Sequence, residues 1–145
     1  MSQVEANDAL NRVLALLCRS FPMYLRDAPP FIANGDQRAI AAIDQIVADQ
    51  TLLSGRIGRF IMSNSGRLET GEFPMEFTDA HDLSVDYILR LAITYQKQDI
   101  TAIEQMVDEV RLNPAAANLA EEALGMAKGH LQSLEELANP QPAKL

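Results

Sequence analysis

Tryptophan is missing from this chain of 145 residues, cysteine occurs once and histidine twice, and aromatic side chains make up only 6%. The single cysteine, Cys18, excludes an internal disulfide, and with no histidine adjacent to it no Cys–His or Ser–His–Asp arrangement can be read. A CxxC pair, an HExxH motif and a glycine-rich phosphate loop are all lacking, so no enzymatic motif is present. Basic residues are scarce as well, 12 against 20 acidic ones, for a net charge of −8. Such a chain repels phosphate backbones, which argues against nucleic acid as a partner. No stretch approaches the roughly 20 apolar residues that span a bilayer. The start MSQVEANDAL has neither the basic residues nor the apolar run of a secretory signal, so the cytoplasm is the expected compartment. Nothing alternates with period two over a useful length and no segment repeats, so neither strands nor a repeat array are expected.

What is present is a hydrophobic fraction of 48% with 22% charged residues, the balance of one globular domain over residues 1–145 with a single continuous core. Periodicity predicts four helices, over about 8–27, 36–63, 78–111 and 114–138. In the first, Leu10, Leu14, Leu17, Phe21 and Tyr24 step by fours and threes behind a cap at Asn7 or Asp8. Pro22 removes a backbone donor inside that pattern, which predicts a kink or break near Arg19 and Ser20, and Ala28-Pro29-Pro30 ends the element. The second helix starts behind Asp36, and its stripe of Ala39, Ile43, Ile46, Gln50, Leu53, Ile57 and Phe60 sets Gln50 at a core position. The third is capped by Thr78 or Asp79 and turns Val85, Ile88, Ala92, Tyr95, Ala102, Met106 and Val110 inward. Asn113-Pro114 is a cap followed by a proline at the first helical position, and it opens a fourth helix with Leu119, Ala123, Met126, His130, Leu134 and Leu137 on one face.

The stretch from Gly66 to Asp86 fits no helical repeat, and residues 64–77 link the second and third helices. About fifteen residues without regular structure can travel the length of a bundle, whereas the other links are short. The expected architecture is therefore an all-α four-helix bundle of two antiparallel hairpins, with one long crossover between helices two and three and the middle helices parallel.

Four groups of residues could carry chemistry. A polar layer of Gln50, Tyr95 and His130 crosses the predicted core, and a buried glutamine needs polar company such as His130, Tyr95 or Asp49. His130 reads either as a metal ligand or as a core histidine satisfied by a carbonyl or by Gln50. Asp79, His81, Asp82 and Asp86 read either as a metal site or as solvated acids at a helix start, which complement the helix dipole. Phe73, Met75, Glu76 and Phe77, with His81, read as a recognition segment or as anchors pinning the link to the bundle. Gly125 and Gly129, like Gly55 and Gly58, make narrow faces where a helix, the link or a dimer partner could approach.

The four-helix pattern with its crossover, together with EALGMAKGHLQSLEE from Glu122 to Glu136, resembles the ferritin-like superfamily. The GEFPMEFTD segment is similar to one in small bacterial proteins and implies no activity. Metal-binding members of the superfamily carry a glutamate on each of two helices and an ExxH motif on each of the other two. Here His130 matches the last histidine, but Ala127 stands at its glutamate; Asp49-Gln-Thr-Leu52 ends in leucine where a histidine belongs. The first helix offers only Cys18, and the glutamate expected on the third falls near Thr94 and Tyr95. The resemblance thus implies the fold without oxidase, peroxidase or iron-storage activity. The expectation is a non-enzymatic bundle with no cofactor, binding a protein partner, a second copy of itself as a homodimer, or a small ligand under the crossover. The alternative is a metal-binding or redox protein using His130, or His81 with Asp79 and Asp82.

Overall fold

The computed structural model describes residues 2–26, 37–80 and 84–139, with the side chains of residues 79, 80 and 85 excepted. All regular structure among them is helical. Helix α1 (Gln3–Cys18) starts behind Ser2, whose hydroxyl accepts the Glu5 backbone N–H. That is more than a turn before the start expected at Asn7 or Asp8, and Asn7 instead lies buried inside the helix. The reason is that the apolar stripe extends back through Ala6, which is fully buried, so the added turn gains packing. The chain breaks at Arg19–Ser20, as expected, and resumes as α2 (Phe21–Arg26). Pro22 then occupies the first turn of α2, where its missing donor costs nothing. The Ala28–Pro30 stop and the Asp36 cap lie outside the described residues.

Helix α3 (Gln37–Ser63) closes with the Gly66 N–H donating to the Ile61 carbonyl at 2.8 Å. A Cβ at Gly66 would sit 2.6 Å from the Ile61 side chain and 2.7 Å from Asn7, so only glycine lets this end of α3 meet α1. The link then follows α1. Asn11 donates to the Arg67 carbonyl at 2.7 Å and accepts the Glu69 N–H at 3.0 Å, Arg19 donates to the Glu72 carbonyl at 3.1 Å, and Phe73 packs against Tyr24.

A 3-10 turn spans Met75–Ala80, and α4 (Val85–Glu109) begins only after it, capped by Ser84, whose hydroxyl accepts the Tyr87 N–H. The expected cap at Thr78 or Asp79 is therefore corrected. Phe77 plunges into the core there, and the Thr78 hydroxyl donates back to the Met75 carbonyl instead of receiving a helix N–H. Helix α5 (Pro114–Ala138) opens as expected, with the Asn113 side chain accepting the Ala116 N–H.

Helix α1 lies between α3 and α4, and so does α5. Ser20 meets Gln50 while Cys18 meets Ser54, so α1 and α3 are antiparallel. Asp49 meets His130 while Arg56 meets Glu122, so α3 and α5 are antiparallel as well. Arg12 pairs with Glu109 and Phe21 with Tyr95, which sets α4 antiparallel to the first helical segment. No described helix is long and apolar enough to cross a membrane.

The core falls into two apolar clusters. One gathers Leu10, Val13, Leu17, Leu53, Ile57, Ile61, Ile103, Val110, Ala123 and Ala127. The other gathers Phe21, Leu25, Ile43, Ile46, Val47, Phe77, Ile88, Ala92 and Leu134. At about 1.5–3 kcal/mol per buried large aliphatic or aromatic side chain, these clusters hold the bundle together.

Candidate functional site

Between the two clusters runs a belt of buried polar side chains: Ser20 at the break after α1, Gln50 on α3, Gln96 on α4 and His130 on α5. The Ser20 hydroxyl donates to Gln50 Oε1 at 2.8 Å, the Gln96 amide donates to the Ala127 carbonyl at 3.0 Å, and His130 Nε2 lies 2.8 Å from Asp49 Oδ2. The hydrogen bond from His130 is the chief reason the Asp49 carboxyl sits below its usual value of 3.8, with Gln45 adding to it against the opposing effect of burial. His130 Nδ1 is buried without a partner among the described residues.

Of the residues expected in a polar layer, Gln50 and His130 stand in this belt. Tyr95 is half-buried and stands with an aromatic group instead, its ring 5.1 Å from Phe21 and 5.0 Å from Phe77. Phe77 also reaches Tyr24 and Phe73, so the link is seated on the bundle by aromatic contacts. Met75, by contrast, is 87% exposed. Glu76 is exposed, Asp86 is exposed, and His81 and Asp82, with the side chain of Asp79, lie outside the description. A Cβ on Gly125 or Gly129 would meet nothing within 4 Å, so no part of the described chain approaches that face.

Where the link crosses the belt, a cavity of about 150 Å³ opens between α1, α4 and the 3-10 turn. Ala15, Leu16, Pro74, Phe77 and Tyr95 form its apolar wall, and Arg19, Ser20, Glu76, Gln98 and Asp99 supply its polar groups. Asp99 makes no hydrogen bond or ion pair among the described residues, and burial pushes its carboxyl up to about 7. Arg19 forms no ion pair there either, and its Nε is buried without a partner. Arg19 is held in place from above, since a Cβ on Gly71 (φ +70°) would come within 3.0 Å of the guanidinium. Two groups of opposite charge thus border one cavity without pairing.

A groove of about 660 Å³ between α3 and α5 is larger, but its Arg56 and Glu122 are already paired at 2.5 Å. Sequence periodicity could have found Asp99 and Gln96, because Ala92, Gln96, Asp99, Ile103, Met106 and Val110 step by fours and threes; reading Tyr95 and Ala102 as inward passed over them.

Neither protein-family models nor curated proteins match this chain. The ligand set of di-metal bundles does not fit the residues present. Ala127 is buried with its carbonyl engaged by Gln96, Leu52 points to solvent, and the Cys18 thiol lies against the Ser54 hydroxyl at 3.8 Å. Among the described residues no three His, Cys, Asp or Glu side chains converge.

Proposed function

We propose that this chain is a binding protein, a bundle of ferritin-like connectivity in which residues 64–77 form the single long crossover and cover a small-ligand site. Antiparallel pairing of α1 with both α3 and α4 supports that connectivity, because it leaves α3 and α4 parallel. The observation that carries the functional reading is that Arg19 and Asp99, of opposite charge and with no ion pair between them, border one cavity, Asp99 being desolvated and without a partner among the described residues. Leaving a buried charged or polar group without a partner costs free energy, and a bound ligand removes that cost. At about 150 Å³ the cavity is smaller than the roughly 300 Å³ at which drug-sized sites begin, so the ligand is a small metabolite. Binding is the role proposed; among the described residues the Cys18 thiol faces the Ser54 hydroxyl and no base.

Two measurements test this reading. Fragment mixtures added to labelled protein should shift the amide resonances of Ser20, Gln98 and Asp99, and an absence of any shift there would overturn it. Elemental analysis of untagged protein after incubation with Fe(II), Mn(II) or Zn(II) and desalting should find no retained metal. Near-stoichiometric metal that disappears in His130→Phe would make this a metal-handling protein instead.

A further inference from the structure

The chemistry of the cavity narrows the ligand class. Its two charged walls lie on different elements, Arg19 at the end of α1 and Asp99 in the middle of α4, and no nitrogen of one lies within 4 Å of an oxygen of the other. A small anion would satisfy Arg19 and leave the Asp99 carboxyl facing further negative charge. A simple amine would do the reverse. Only a ligand carrying both signs satisfies both groups, and it must be short enough to fit between them. Glu76 also borders the cavity, so its lining carries two carboxyls. The rings of Tyr95 and Phe77, 5.0 Å apart and edge to face, line the same cavity. Leu16 and Pro74 leave an apolar patch for a short side chain.

We infer that the cavity takes a small zwitterion of the α-amino-acid class, its ammonium against Asp99 and Glu76 and its carboxylate against Arg19. This rests on the proposed ligand-binding role of the same site. Arg19 lines the cavity and supplies the positive charge for the carboxylate, while one NH2 group of its guanidinium stays on the Glu72 carbonyl. The Gln98 amide lies on the same wall and adds a neutral partner. Because Arg19 also holds Glu72, an occupied cavity and a seated link support each other.

The experiment is isothermal titration of the full chain with each proteinogenic L-amino acid, followed by two derivatives of every binder: the amine lacking the carboxylate and the N-acetyl acid lacking the ammonium. At least one amino acid should bind, and both derivatives should bind at least about tenfold more weakly, the factor that corresponds to one lost charged contact. Asp99→Asn, which keeps the shape of the side chain, should weaken binding by at least the same factor, with an unchanged circular dichroism spectrum. Arg19→Gln should do likewise, but it also frees the link, so the derivative series carries the decision on the carboxylate side. Equal binding of the amine would make this a cation site, and equal binding of the N-acetyl acid an anion site; either result overturns the zwitterion. If fragments shift Gln98 and Asp99 while no amino acid binds, the zwitterion falls and the ligand-binding role stands. If nothing binds, both fall.

Discussion

The Ser20 hydroxyl donates to the Gln50 side-chain oxygen over 2.8 Å at the point where the first helix breaks, between two apolar clusters. The same hydroxyl accepts the Met23 N–H at 3.4 Å, so one side chain serves both as the cap of α2 and as the core partner of α3. This hydrogen bond fixes the register of α1 against α3 in a way that apolar packing alone does not, since leucines tolerate sliding more readily than a buried amide does. Gln50→Leu strands the hydroxyl and should cost about 1–3 kcal/mol in urea unfolding. Ser20→Ala combined with Gln50→Leu should cost less than the sum of the two single changes. Additive costs would show that the two side chains do not act as a pair.

Asp49 and His130 tie α3 to α5, and the pair responds to acid. The Asp49 carboxyl is held below its usual value, so its stabilising effect is present above pH about 4 and is lost as pH falls through the folded-state value. Asp49 is a third exposed, so the effect is modest. Asp49→Asn should flatten the acid limb of a stability-versus-pH curve and leave stability near pH 7 lower by no more than about 1 kcal/mol. A wild-type acid limb in the variant would remove the pair as its cause.

Asp99 behaves in the opposite sense. Burial raises its carboxyl to about 7, so the folded state holds the proton more tightly than the unfolded chain does. Stability should therefore fall as pH rises from about 4 through 7 and level off above, by at most about 4 kcal/mol before solvent at the cavity mouth is allowed for. Asp99→Asn should abolish that slope and raise the melting temperature at pH 8, by about 2–4 °C per kcal/mol recovered. The other charged or titratable groups around this cavity are Arg19 on α1, Glu76 on the link and Tyr95 on α4. Binding of an ammonium group requires the ionised carboxyl, so affinity should rise between pH 6 and pH 8 in the wild type and stay level in the variant. Melts and titrations across this range decide both points, and a variant with the wild-type slope would contradict the assignment.

Phe77 should be the residue that keeps the link seated. It is 4% exposed and meets Phe21, Tyr24, Phe73 and Tyr95. Phe77→Ala should cost about 3–5 kcal/mol if the link stays in place, and less if the link simply detaches. Limited proteolysis tells the two apart, since detachment exposes the bonds flanking Arg67 and Arg19 to trypsin. Met75→Ala, at a side chain 87% exposed, should leave both stability and proteolysis unchanged, and a large loss there would show that Met75 is covered in solution.

Much of the bundle was legible in local chemistry. The steps of four and three through Leu10, Leu14 and Leu17, through Ile43, Gln50 and Ile57, and through Ala123, His130 and Leu134 identify helices and their inward faces, because 3.6 residues per turn leaves few other ways to bury such a stripe. The Asn113-Pro114 start and the break before Phe21 are equally local, each set by a proline and a neighbouring hydrogen-bonding side chain. Position 50 could be recognised as polar within the core from its spacing alone.

What only the tertiary structure decided were the partners. Gln50 takes Ser20, His130 takes Asp49, and Gln96 replaces Tyr95 in the buried belt while Tyr95 joins the ring of aromatics around Phe77. The start of α4 moved from residue 78 to Val85 for the same reason: burying Phe77 in the aromatic group outweighs the helix propensity of the residues around it. The cavity is the clearest case, since Arg19 and Asp99 are eighty positions apart and gain their meaning only when the link folds over both. Local periodicity specifies which face of a helix is buried, but the facing residue is set by how far helices slide and turn against one another, and that is a property of the whole packed core.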